Sequence, residues 1–281
     1  MKQLFKKIRF LTESGKQHCH YKDTQNIASK RVSLLGLFSC LLGLPSLAAA
    51  QEFQQINNGT NPTLLTTQAG LQYQLNRVNT NLDTGLLEAF YTRPFGDGSK
   101  AIRFNVPFSD VPAGEGLTFG DFSVTYIDVF HLTENNGAAF TFELFLDTAE
   151  KETAGYGQIA GETSVFYAWF LKNGSIFAPA WVQTFGLEGG NDQGQSLNTS
   201  TFDFYYVPKL ANSKYYMTFD PAIIHDWESE KTFGSLQVTM GMLTGKAFGG
   251  DGQVFIKPGV LFGADKPADW SFQVGYKVLN F

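Results

Sequence analysis

Residues 254–281, at the end of the chain, alternate apolar and polar side chains, and this pattern constrains the fold more than any other feature. Two alternating segments flank a turn at residues 264–268. In the second segment one face is apolar, and it consists of Trp270, Phe272, Val274, Tyr276 and Val278. A period of two over about ten residues indicates a β-strand. Strands with one apolar and one polar face build closed transmembrane barrels, whose apolar side faces lipid.

The same alternation recurs upstream as far as residue 64, and it predicts strands at ten further places. These are residues 64–76, 86–95, 101–108, 119–132, 139–148, 161–171, 176–187, 201–210, 214–227 and 233–243. For strands 86–95, 161–171 and 176–187, the sequence does not show which residues share a face. The predicted fold class is all-β, an antiparallel closed transmembrane β-barrel of about 12 strands.

Turns and aromatic side chains favour a barrel over a soluble sandwich. Short turns, at residues 96–98, 135–137, 173–174 and 211–213, alternate with longer loops at 109–117, 149–159 and 188–200. Short periplasmic turns and longer outer loops are typical of outer-membrane barrels. Tyr206 and Tyr215 flank one short turn, while Trp227 and Trp270 fall at the opposite rim, as expected of two aromatic girdles.

Two features depart from this pattern. Six prolines lie inside the predicted strands, where each removes a hydrogen-bond donor and implies a bulge or a strand end: Pro94, Pro107, Pro179, Pro208, Pro221 and Pro258. The turn at 245–252 is long where a short one is expected, and the loop at 228–231 is short.

The first 50 residues are predicted to be a signal peptide rather than part of the fold. An apolar run at residues 32–47 follows Lys30 and Arg31, and three alanines end at Ala50, so we expect cleavage before Gln51. Residues 51–63 form a short periplasmic lead-in that is too small for a plug domain, and 64–281 form the barrel. We therefore expect export to the outer membrane of a Gram-negative bacterium.

The composition of the exported part excludes several functions. The signal peptide holds eight of the 21 Lys and Arg residues and two of the 26 Asp and Glu residues, so 13 basic and 24 acidic residues remain. The resulting net charge of −11 disfavours nucleic-acid binding. Both cysteines leave with the signal peptide, and only His131 and His225 remain of the histidines, so we expect no metal site and no cofactor.

Charged side chains on the predicted inward faces are the candidate lumen lining. They are Arg103, Glu143, Asp147, Asp203, Lys209, Asp220, Lys257 and Lys277. One interpretation is a polar lumen whose opposed charges orient a passing solute. The other is a set of ion-paired struts that fill a narrow barrel. If the channel is open, the acidic net charge favours cations weakly.

Three further classes of protein stay open. His225 next to Asp226 could serve a lipid-cleaving barrel enzyme, with Ser229 or Ser235 as the nearest serines in sequence. The chain has no Gly-x-Ser-x-Gly motif, and an interfacial histidine in an aromatic girdle explains His225 equally well. A purely structural barrel and a secreted soluble β-protein are the remaining alternatives.

Four stretches resemble bacterial outer-membrane barrels of the transporter and meta-pathway phenol-degradation type. They are residues 103–107 (RFNVP), 116–121 (GLTFGD), 205–208 (YYVP) and 269–276 (DWSFQVGY). The resemblance implies an outer-membrane barrel that passes small solutes, hydrophobic ones among them, and it supplies no catalytic residue. We expect its partners to be outer-membrane lipid, the solute, and the barrel-assembly machinery acting on the C-terminal strand that ends at Phe281.

Overall fold

The computed structural model describes residues 58–188 and 196–281, and these residues form thirteen antiparallel strands. The strands are β1 (Gln68–Asn79), β2 (Leu82–Phe95), β3 (Lys100–Asp110), β4 (Leu117–Phe119), β5 (Ser123–Leu132), β6 (Asn136–Phe145), β7 (Ala160–Phe170), β8 (Ile176–Gly186), β9 (Asn198–Val207), β10 (Tyr215–Asp226), β11 (Lys231–Ala247), β12 (Gly250–Phe262) and β13 (Trp270–Leu279). The predicted signal peptide lies outside the described residues. No helix in the described part is long and apolar enough to cross a membrane.

Pairing between β1 and β13 closes the sheet into a barrel. Gln68 pairs with Leu279, and the ladder runs to Arg77 paired with Trp270. All strands except β4 form a ring of twelve, and the short β4 pairs with the end of β3. The prediction of a closed antiparallel barrel with twelve strands is confirmed. We call the end where β1 begins and β13 ends the terminal end, and the opposite end the loop end.

The barrel is apolar outside and polar inside. On β13, the side chains of Phe272 and Val274 are 42% and 47% exposed. The alternating residues Ser271 and Gln273 are only 3% and 7% exposed. The same contrast holds on β10, where Ile223 is exposed and Asp220 is buried. The predicted alternation therefore places its apolar face outward, and polar side chains fill the interior.

One predicted strand, 119–132, is two strands in the structure. It is interrupted after Phe119 because the Gly120 N–H donates to the Pro107 carbonyl and Asp121 binds a neighbouring loop. A bulge interrupts β5 near Asp128, since the register of β5 against β6 shifts between Asp128 and His131. The short strand β4 is the segment that lies directly before this interruption.

Prolines account for breaks in three ladders. Pairing between β9 and β10 stops at Asp203 with Ala222 and resumes at Tyr206 with Phe219, and Pro221 lies in the gap. Matching gaps occur at Pro179 in the pairing of β7 with β8 and at Pro258 in that of β11 with β12. A proline has no N–H to donate, so these are the irregularities that the sequence predicted.

Candidate functional site

A cavity of about 320 Å³ lies inside the barrel, and its walls come from strands on opposite sides of the ring. The described residues that line it are Gln72, Gln74, Leu86, Glu88, Arg103, Asn105, Thr125, Thr141, Glu143, Asp203, Asp220 and Gln273. They all lie on inward faces, because side chains at alternate positions of each strand point into the barrel. Four of the eight predicted lumen residues are among them, namely Arg103, Glu143, Asp203 and Asp220.

Arg103 is anchored within the first wall. Its guanidinium carbon lies 4.1 Å from the centre of the Phe90 ring, which is a cation–π contact. Its Nε donates to Asn105 Oδ1 at 2.7 Å, and its Nη2 lies 3.6 Å from Glu88 Oε1. The guanidinium is thus held against the wall, where it forms one side of the cavity.

The two glutamates of the same wall receive side-chain donors. Gln72 Nε2 donates to Glu88 Oε1 at 2.8 Å. Ser123 Oγ and Asn105 Nδ2 donate to Glu143 Oε1, at 2.6 and 3.2 Å. These hydrogen bonds fix the positions of the two carboxylates on the cavity wall.

The second wall contains Asp203 on β9 and Asp220 on β10. Lys257 Nζ on β12 lies 3.7 Å from Asp220 Oδ2, and both side chains are mostly buried, so the ion pair reaches across β11. This pair matches the interpretation of ion-paired struts. The cavity thus combines a charged lining with at least one internal ion pair.

Lys277 lies nearer the terminal end than the cavity. Its Nζ is 5.6 Å from the centre of the Tyr216 ring and 6.0 Å from that of Phe255. The two aromatic rings offer their negative faces to the ammonium group, which compensates in part for its removal from water.

Asp147 and Lys209 lie outside the barrel interior. Asp147 follows the end of β6 at Phe145 and is exposed in the loop to β7. Lys209 follows the end of β9 at Val207, is exposed, and its backbone N–H donates to Ser175 Oγ at 3.1 Å. Both strands were predicted to extend beyond their observed ends, because alternation continues into the turns.

Residues 58–67, which precede β1, lie against the interior at the terminal end. Gln253 Nε2 on β12 donates to the Asn58 carbonyl at 3.0 Å, and the Tyr205 hydroxyl on β9 donates to the Thr60 carbonyl at 3.1 Å. Gly59 adopts φ +70°, and a Cβ there would lie 3.2 Å from Leu279 Cδ1. The lead-in, predicted to be a short periplasmic segment, therefore occupies part of this end of the barrel.

The loop between β6 and β7, residues 146–159, lies across the loop end. Asp121 accepts the backbone N–H groups of Thr148, Ala149 and Tyr156, at 3.2, 3.1 and 2.5 Å. Ser109 Oγ on β3 donates to the Ala154 carbonyl at 3.1 Å. Burial raises the pKa of Asp121, and Asp147 nearby adds to this, although the three N–H groups act in the opposite direction.

The loop also packs through an aromatic contact. The Tyr156 ring meets Phe145 edge-on, with ring centres 5.5 Å apart, and Ala160 and Leu197 complete the cluster. Within the described residues, both ends of the interior are thus narrowed by chain segments that are not strands.

His225 lies on the outer face near the loop end. Its Nδ1 is 2.8 Å from Thr232 Oγ1, and its ring is edge-on to Trp227, with centres 4.4 Å apart. Of the two serines considered for a hydrolase, Ser229 donates to Asp226 at 2.8 Å and Ser235 is buried opposite Ala222, whose side chain points inward. Neither serine is placed to use His225 as a base.

A third serine, Ser200, is opposite His225 in the ladder between β9 and β10. Its hydroxyl donates to Gln183 Oε1 at 2.5 Å and accepts the Trp227 indole N–H at 2.9 Å. The hydroxyl proton is therefore directed to an amide rather than to the imidazole. The arrangement matches a histidine in an aromatic girdle.

Sequence reasoning missed several cavity residues, of which Glu88 is the clearest. The inward face of β2 mixes Leu86, Glu88 and Phe90, so no clean alternation was visible there. The signal that could have found it is the pairing with β1, which places Glu88 directly opposite Gln72, a polar residue that lines the same cavity.

Several solved structures have a similar fold. The chain is similar to an outer membrane channel from Pseudomonas putida F1, with a TM-score of 0.58, 11% identity, and 76% of this chain and 96% of that chain covered. It is similar to the NanC porin, with a TM-score of 0.55, 9% identity, and coverage of 75% and 98%. For the KdgM porin the values are 0.52, 8%, 75% and 98%.

At identities this low, the similarity shows that the fold is shared and nothing more. No model of a protein family matches the sequence, and no protein with a curated description is similar to it.

Proposed function

We propose that the protein is an outer-membrane channel through which small polar solutes pass. The observation that carries this proposal is a closed barrel whose exterior is apolar and whose interior is polar and contains a cavity. The barrel is oriented with its terminal end toward the periplasm, as in the sequence prediction. The similarity to one outer membrane channel and two porins supports the same function.

The exterior supports a membrane location. Phe202, Ile223 and Val260, on three different strands, are 51%, 52% and 51% exposed. Burying a side chain of this kind in an apolar environment contributes roughly 1.5–3 kcal/mol. Many such residues around the ring would be unfavourable in water and favourable in lipid, and every strand of a closed barrel keeps its backbone hydrogen bonds there.

The cavity supports polar rather than hydrophobic solutes. Of its twelve described lining residues, Leu86 alone is apolar. The resemblance to phenol-degradation barrels suggests hydrophobic solutes, and that more specific assignment stays a prediction. A wall of carboxylates, amides and hydroxyls would have to give up hydration to take an apolar solute, which is costly.

Reconstitution tests the channel. Purified protein lacking the signal peptide is inserted into planar bilayers and, separately, into liposomes loaded with an osmolyte. We expect discrete conductance steps in the bilayers and swelling in small polar solutes that decreases with solute size. A protein that fractionates with soluble periplasmic proteins without detergent, or that gives neither conductance nor swelling, would contradict the proposal.

A further inference from the structure

Residues 58–67, which precede β1, contact widely separated strands at the terminal end of the barrel, and we call them the strap. At one side, Gln253 Nε2 on β12 donates to the Asn58 carbonyl at 3.0 Å. At the other side, the Thr63 side chain lies against Gly137 on β6, where an added Cβ would be 2.8 Å from Thr63 Cγ2. The strap therefore reaches from β12 to β6.

These two strands face each other across the lumen. Counting round the ring from β12 through β11, β10, β9, β8 and β7 to β6 takes six of its twelve steps. A path along the rim over six strand spacings of about 4.8 Å would be about 29 Å long. The five residue steps from Asn58 to Thr63 reach about 18 Å when fully extended, which is too short for that path even with the Gln253 side chain added. The strap therefore runs across the opening.

Tyr205 on β9 holds the middle of the strap. Its hydroxyl donates to the Thr60 carbonyl at 3.1 Å. Its ring packs against a buried apolar cluster that consists of Ala168, Ile176, Ala178 and Val207. A tyrosine ring packed in this way keeps its hydroxyl in one position. The strap is thus held by a side chain that belongs to the wall of the barrel.

Two similar turns give the strap a shape of its own. Asn58 Oδ1 accepts the Thr60 N–H at 3.1 Å and the Thr60 hydroxyl at 2.7 Å. Asn61 Oδ1 accepts the same two groups of Thr63, at 3.0 and 2.8 Å. Asparagine forms such turns through its own side chain, without neighbouring elements. The strap can therefore leave the wall as one piece.

The strap lacks the backbone ladder that fixes the wall, since none of residues 58–67 is part of a strand. Its contacts at Asn58 and Thr60 are hydrogen bonds from side chains of the wall. Such a bond contributes little net free energy, because water replaces the partner when the bond breaks. The other end of the strap is fixed, since the Asn280 N–H donates to the Thr67 carbonyl at 2.9 Å beside the seam of β1 with β13. These contacts describe a flap that pivots at Thr67.

We propose that the strap is a gate. Docked across the terminal mouth, it blocks the passage of solutes, and it swings away from β6 and β9 to let them through. This inference rests on the proposed channel function and adds how that channel opens. Passage then depends on two states of one segment, and any contact made only in the docked state favours the closed channel.

An engineered disulfide tests whether the strap must move. A Cβ built on Gly137 would lie 3.3 Å from Thr63 Cβ, close to the separation of about 3.5–4.5 Å in disulfides, so Thr63→Cys with Gly137→Cys should cross-link on oxidation. The exported part has no other cysteine, because Cys19 and Cys40 lie in the predicted signal peptide. We expect oxidation to lower the conductance of the double variant at least about tenfold, and dithiothreitol added to the same bilayer to restore it. Oxidised Thr63→Cys alone is the matched control and should conduct as the wild type does.

Removal of one anchor tests the gate in the opposite direction. Tyr205→Phe keeps the ring in its apolar cluster and removes the hydroxyl that donates to the Thr60 carbonyl. We expect the open probability to rise about two- to tenfold, which is the effect of losing one hydrogen bond. Tyr206→Phe is the matched control, because its ring lies beside Phe219 on the opposite face of the wall, and it should leave the open probability unchanged.

The outcomes separate the gate from the channel function. An oxidised double variant that conducts as well as its reduced form shows that the strap need not move, and a disulfide that fails to form shows that the strap does not lie against β6. Either result overturns this inference and leaves the channel function intact. Absence of conductance in the wild type, the reduced double variant and Tyr205→Phe alike overturns both proposals. The same molecules are compared before and after reduction, so a failure to fold cannot imitate the expected result.

Discussion

Arg103 shows how an interior side chain of this barrel is held without a dry core. The Phe90 ring supports one face of its guanidinium, and Asn105 and Glu88 engage its edge. Asn105 also donates to Glu143, so one amide links the cation and a carboxylate. Such a network keeps opposite charges close to each other on one wall of the cavity.

The ion pair of Lys257 and Asp220 gives a prediction at the scale of single residues. We expect Lys257→Met to lower the free energy of unfolding by about 1–3 kcal/mol, because it leaves the Asp220 carboxylate without its cation. The loss should be smaller than in a dry core, since cavity water still solvates the aspartate. Urea unfolding of the protein in detergent micelles measures it.

The control is the double variant Lys257→Met with Asp220→Asn. Removing both charges should recover most of the lost stability, because the cost of a broken buried pair is the unpaired charge that remains. A single variant as stable as the wild type would show that the pair is not a brace.

Among the structural elements, the segment before β1 is the first candidate for a constriction that limits the passage of ions through the barrel. Gly59 lies close to Leu279 and has a left-handed backbone conformation. Both features disfavour a side chain at this position. We expect Gly59→Ala to displace the segment and raise single-channel conductance. Gly96→Ala is the matched control, since Gly96 has φ +65° and an added Cβ would meet no atom within 4 Å. Both variants bear a backbone cost of about 1–2 kcal/mol, so a rise in both would assign the effect to strain.

The loop between β6 and β7 depends on one side chain outside it. Replacing Asp121 by Ala removes the acceptor for three backbone N–H groups. We expect Asp121→Ala to expose residues 146–159 to protease and to increase conductance. Asp97→Ala serves as control, because Asp97 caps the exposed turn at Ser99 at the other end of the barrel. Unchanged proteolysis in Asp121→Ala would mean that aromatic packing alone holds the loop.

The same carboxyl predicts a pH dependence. Burial raises the pKa of Asp121 above that of an exposed aspartate. A group whose pKa is higher in the docked loop than in the free loop favours docking at low pH. That contribution is complete below the ordinary pKa of aspartate and is lost as the pH rises through the raised value. Proteolysis of the loop should therefore accelerate with rising pH over this range in the wild-type protein, but not in Asp121→Asn.

At the scale of the whole molecule, the strands and their number could be predicted because lipid-facing barrels leave a period-two pattern. The clean alternation in β13 located its faces correctly, with Phe272 outside and Gln273 inside. Strand ends were less accurate, since polar turns continue the pattern past Phe145 and Val207. This error placed Asp147 and Lys209 in the interior.

The site was predictable only in part. Arg103, Glu143, Asp203 and Asp220 lie on strands with a readable phase, and all four line the cavity. Glu88 lies on a strand whose inward face carries apolar residues as well, so local pattern could not reveal it. The positions of residues 58–67 and of the loop at 146–159 depend on contacts between distant parts of the chain, which alternation does not encode.

Closure through β1 and β13 has a consequence for biogenesis. The seam joins residues that are about two hundred positions apart, so its formation needs the completed polypeptide. A chain that stops before Trp270 would leave β1 and β12 with unpaired edges, whose backbone groups lipid cannot satisfy. Insertion should accordingly be all-or-none, and translation intermediates must be kept unfolded until the last strand has been delivered.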